Sequence, residues 1–174
     1  MRTNQKGFTL IELLIVVAII GIIAAISVPG LLRARMAGNE ASAIGSLRAI
    51  NSAQSTYAAS CGSGFYAPSL LSLGTPPTVG GGDGFIGTDL ATDPSIKSSY
   101  TMTMTGGAVG AGAPASCNGV AAGATVSTYY VSASPTAGGG VRFFGTNQGG
   151  TIYTSTAAVA VTQNGAPAGA NPLQ

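Results

Sequence analysis

One carboxylate stands alone in a long apolar run. From Leu13 to Ile26 every side chain is aliphatic or absent, and the wider stretch from Phe8 to Leu32 holds only Thr9, Glu12 and Ser27 as polar side chains. As a helix that stretch would extend about 37 Å, enough to cross a bilayer. Glu12 lies one turn inside it, where a carboxylate costs about 3 kcal/mol on insertion scales unless it finds a partner. Two readings are open: the carboxylate stays wet at the headgroup level, or it pairs with a cation. Gly7 suggests the source of that cation. No small-residue cleavage site follows the apolar run, as a secretory signal would require, and the small residue suited to cutting stands before it. Cutting after Gly7 would remove a leader of residues 1–7 and keep the helix on the mature chain. It would also leave an α-amino group on Phe8, and in a packed array of such helices that group could neutralise Glu12 of a neighbouring copy.

The two cysteines, Cys61 and Cys117, are the other reactive pair. An even count in a short chain with export features favours a disulfide, with two separate thiols as the alternative. Enzymatic chemistry finds little material. The chain has no histidine, which removes Ser-His-Asp and Cys-His arrangements and the usual zinc sets. Gly80-Gly81-Gly82 lacks the Lys-Ser/Thr that completes a phosphate loop. Charged residues are 7% of the chain, with seven Lys and Arg against five Asp and Glu, and removing Arg2 and Lys6 with the leader leaves five of each. Such a surface has no electrostatic footprint for general nucleic-acid binding. Arg33 and Arg35, the close basic pair of the mature chain, fall at the expected membrane interface.

The elements that must position these groups follow in order. Pro29 removes a backbone donor, so a bend there and a resumed helix are expected. Ile44, Leu47, Ile50, Ala53 and Tyr57 then recur at three- and four-residue spacing, an amphipathic stripe over 33–61 that predicts packing on a head domain. Gly21, Ala24, Ala25, Gly38, Ala41, Gly45 and Ala49 would let neighbouring helices approach closely. Cys61-Gly62-Ser63-Gly64 is a helix stop. Residues 62–97 read as a connection, with room for one helical turn in 65–74 and a Pro/Gly loop over 75–84. Period-two patterns at 98–105, 125–133, 141–145 and 151–154 predict an antiparallel sheet of about four strands within 98–156, with a hairpin at 146–150. Residues 106–124 form an insertion around Cys117. The tail, 157–174, offers an edge strand at 157–161 and then flexible or extended chain. The fold class is α+β: a long kinked amino-terminal helix, membrane-spanning in its first half, packed against a small sheet.

Gly7-Phe8-Thr9-Leu10-Ile11-Glu12, followed by an apolar helix with Pro29 near its end, resembles the amino-terminal segment of type IV pilins and of the pseudopilins of type II secretion. The resemblance implies that a prepilin peptidase cuts between Gly7 and Phe8, that the Phe8 amine is methylated, that Glu12 docks subunits and that Pro29 marks the break in the helix. It further implies a single-pass precursor in the bacterial inner membrane with its head outside the cytoplasm. Assembly machinery would then extract it into a homopolymer, as an extracellular pilus or a periplasmic pseudopilus. Cysteines at 61 and 117 depart from the family's more carboxyl-terminal disulfide. No cofactor is expected; Asp83, Asp89 and Asp93 are weak candidates for the calcium that some pseudopilins bind, set against ordinary turn chemistry at Asp83-Gly84 and Asp93-Pro94. Outside the family, the alternative is a membrane-anchored binding protein that never polymerises.

Overall fold

The computed structural model describes residues 7–160 and 162–173, and the chain divides into two compact units, Met1–Arg35 and Met36–Gln174. Helix α1, Leu10–Ser60, begins in the first unit and ends in the second, and it passes through Pro29 without interruption. Every described residue from Gly7 to Arg35 is exposed. The leader residues before Gly7 lie outside the described residues.

In the second unit the stripe read from the sequence becomes the core. Ala43, Leu47, Ile50, Ala53 and Tyr57 are buried, with Ile44 at the margin. The helix stops where the glycines require: the N–H groups of Gly62 and Gly64 bond back to the carbonyls of Tyr57 and Ala58, and Gly64 takes φ +92°. A short helix α2, Leu70–Gly74, is capped by the Ser69 hydroxyl and inserts Leu70 and Leu73 into the same core.

The sheet has six strands rather than about four: β1 Ser95–Lys97, β2 Tyr100–Gly106, β3 Tyr129–Pro135, β4 Phe143–Asn147, β5 Ile152–Ser155 and β6 Asn171–Pro172. They form an antiparallel meander in sequence order. The Thr-Met alternation of β2 works as expected, with Tyr100, Met102 and Met104 turned to the helix and Thr103 and Thr105 to the outside. Tyr129, Val131, Ala133, Phe144 and Ile152 complete the helix-facing layer.

Four differences from the expected sheet have local causes. Ser98 and Ser99, read as strand, have φ of +48° and +59° and make the tight turn that folds Ser95–Lys97, read as connection, onto β2. Residues 125–128 leave the ladder, and Val126 exchanges both backbone bonds with Tyr66. The third strand starts two residues late because the N–H groups of Val141 and Arg142 are taken by a helix carboxylate. The tail forms no strand over 157–160, and Val161 lies outside the described residues. Nor is the tail a loose end: its carbonyls at Thr162 and Gly165 accept from the Asn147 amide, and Asn171–Pro172 pairs with β5.

Of the buried polar residues on α1, Glu40, Ser46 and Gln54, the last is the most deeply enclosed. Gln54 is 0% exposed, and its amide donates to the Ala67 carbonyl and accepts from the Ala67 N–H, at 3.0 and 2.9 Å. It holds the chain leaving α1 against the core, so the polar group is stabilised by two bonds rather than left as a defect.

Candidate processing and docking site

The segment that carries the expected processing chemistry starts outside the helix. Gly7, Phe8 and Thr9 are non-helical, Phe8 is 86% exposed, and α1 opens at Leu10. The Glu12 carboxylate folds back on this opening. It accepts from the Thr9 N–H at 2.9 Å and from the Thr9 hydroxyl at 2.6 Å, while the Thr9 hydroxyl accepts from the Glu12 N–H at 3.3 Å. This is a reciprocal capping box that satisfies two otherwise orphan donors of the first turn. Thr-x-x-Glu ahead of an apolar run was the readable signal for it. Beyond the box α1 is long and apolar enough to span a membrane.

Cys61 and Cys117 are joined, with S–S 2.03 Å and Cα–Cα 4.8 Å, 56 residues apart. The bridge ties the end of α1 to the 106–124 insertion. Asn118, next to it, donates to the Ser72 and Thr75 carbonyls and accepts from the Ser116 hydroxyl, so the insertion is also anchored to α2.

The three aspartates are not brought together. Asp89 pairs with Lys97 at 2.6 Å, and that hydrogen bond holds its carboxyl below the usual range. Asp93 accepts from the N–H groups of Leu70 and Met104, fastening α2 to β2. Among the described residues no three His, Cys, Asp or Glu side chains group as metal ligands. Asp89 and Asp93 thus have separate partners within the fold, and Asp83 has none among the described residues.

The fifth acid, Glu40, was not singled out by sequence. It is 7% exposed and receives the N–H groups of Val141 and Arg142 at 3.0 and 3.2 Å and the Arg142 guanidinium at 2.7 Å. Burial would raise its pKa, but these hydrogen bonds and the arginine charge outweigh burial and lower it. A lowered folded-state pKa stabilises above the unfolded value of 4.5, and the contribution is lost as pH falls through the folded value. Replacing Glu40 by Ala is expected to cost about 2 kcal/mol at pH 7. The difference from the parent chain should vanish as acid denaturation is followed below pH 4.5, read by circular dichroism.

A lone capped carboxylate at the head of an exposed apolar helix, continuous with a disulfide-closed α+β unit, defines an anchored protein whose helix surface must be covered by lipid or by other helices. The comparisons with known proteins bear on the amino-terminal part of the chain. Residues 2–28 match the family described as "Prokaryotic N-terminal methylation motif". The wide pilus major component PilA4 of Thermus thermophilus is 65% identical over 37 residues, 21% of this chain and 28% of that protein. The major pilin PilA of Myxococcus xanthus is 44% identical over 54 residues, 31% of this chain and 24% of that protein. FimA, a major fimbrial protein of Dichelobacter nodosus, is 76% identical over 29 residues, 17% of this chain and 19% of that protein. Each match spans under a third of the relative's own length. No solved structure matches. The similarity to these pilus and fimbrial proteins lies in the amino-terminal segment.

Proposed function

We propose that the chain is the structural subunit of a type IV pilus-like filament. The observation that carries this is the unbroken exposure of residues 10–35 along a helix that is largely apolar to Leu32. A surface of that kind is stable in lipid or bundled with copies of itself, and not in water. The precursor is stored as a single-pass protein of the bacterial inner membrane with its head outside the cytoplasm. Prepilin peptidase cuts the Gly7–Phe8 peptide bond, which the capping box leaves outside the helix, and the new Phe8 amine is methylated. Glu12 then exchanges Thr9 for the Phe8 amine of a neighbour, which sets the register of the homopolymer. A bend at Pro29 adjusts the path of the helix between filament core and head. No cofactor enters this reading.

The relatives are named as pilus or fimbrial subunits, which favours a surface fibre over a periplasmic pseudopilus. Mass spectrometry of the native amino terminus, with electron microscopy of material sheared from cells, tests the proposal. A chain beginning at methylated Phe8 and forming fibres is expected. A chain that keeps Met1 and never leaves the membrane fraction overturns it.

A further inference from the structure

The charges of the head are nearly all spent within the chain, and the exceptions are complementary. Glu40 pairs with Arg142 and Asp89 with Lys97, while Asp93 accepts two backbone N–H groups. Among the described residues Asp83 alone of the acids has no hydrogen-bond or ion-pair partner. It is exposed and, with Gly74, Pro76 and residues 84–88, lines a cleft of about 370 Å³. The walls are set close: Phe85 N–H bonds to the Leu73 carbonyl at 2.7 Å, and a side chain at Gly84 would collide with the Gly74 backbone.

Three cations are likewise without an ion-pair partner among the described residues, Arg33, Arg35 and Arg48, all exposed. Arg48 lines a separate recess with Gly150, Thr151 and Leu173 of its own chain. Arg33 and Arg35 have no ion-pair partner among the described residues. They follow directly on the apolar run that ends at Leu32, so in the stored precursor they lie at the level of anionic headgroups. When the helix leaves lipid for a bundle, those phosphates are lost and the guanidinium groups need another anion.

We infer that the Asp83 cleft of one subunit receives Arg33 or Arg35 of a second copy. This rests on the filament reading and adds to it a contact between head and helix, distinct from the Glu12 contact at the helix tip. Residues two apart on a helix project about 200° from one another, so one arginine faces a given neighbour.

The test uses the full-length chain expressed in its own cells, with sheared filament yield as readout and the disulfide and circular dichroism of detergent-solubilised subunit as fold controls. D83N should lower yield about threefold, and D83K or the pair R33D/R35D about tenfold. Combining D83K with R33D/R35D should return yield to within about twofold of the parent, as a direct pair requires. Parent filaments should also shorten in high salt more than D83N filaments do. Unchanged yield for D83K, or loss in R33D/R35D that D83K neither mimics nor repairs, overturns the contact and assigns the arginines to the membrane surface. A parent chain that forms no filaments at all overturns the filament reading instead.

Discussion

Glu12→Gln should abolish filaments while leaving the subunit folded, cleaved and inserted. Glutamine serves at the third position of a capping box as glutamate does, so the bonds to Thr9 survive and the helix still opens at Leu10. What is lost is the charge. In the bundled state the Phe8 amine of a neighbour would then be buried without a counter-ion, a penalty of about 3 to 5 kcal/mol per subunit, repeated along the polymer. Assembly should fall by about a hundredfold or more. Comparing E12Q with Thr9→Val separates two roles, because the second substitution removes the cap and keeps the anion. Quantitative blotting of sheared and membrane fractions reads both. Full filament yield from E12Q would show that the cap, and not the charge, is what Glu12 supplies.

Opening the Cys61–Cys117 bridge is expected to be the largest single loss of head stability. Closing a 56-residue loop restricts the unfolded chain by about 4 kcal/mol on chain-entropy grounds, a large part of the stability of a domain this size. The double substitution to serine should therefore lower the melting temperature by on the order of 10 °C. Its effect should not stay local. The bridge, Asn118 and the Thr78 bonds to the Cys117 carbonyl hold one another in place, so the 75–84 loop and the insertion should become protease-sensitive together. Limited proteolysis with and without reductant checks this. A melting temperature that does not move would mean that the Asn118 bonds alone fix the insertion.

Periodicity was enough to find the helix stripe and the Thr-Met strand, because one face of each meets the core and the other meets water. The pairing of Glu40 with Arg142 was not readable. It joins residues 102 apart, and only the fold brings Val141 and Arg142 to a helix carboxylate. That pairing also displaced the start of β4, since two N–H groups taken by a side chain cannot join a ladder. Strand β1 was hidden for a different reason. Ser98 and Ser99 adopt positive φ without the Gly or Asn that normally announces such a turn. The Thr9–Glu12 box was legible in its spacing, Thr-x-x-Glu ahead of an apolar run.

The margins of the sheet carry a consequence for the proposed filament. One margin is the three-residue β1 ending in Lys97; the other is the two-residue β6 ending in Pro172. Brevity, a lysine and a proline each blunt a free strand against pairing with a strand of another molecule. In the proposed fibre, where heads would be held at very high local concentration, these margins would oppose amyloid-like stacking of one head on another.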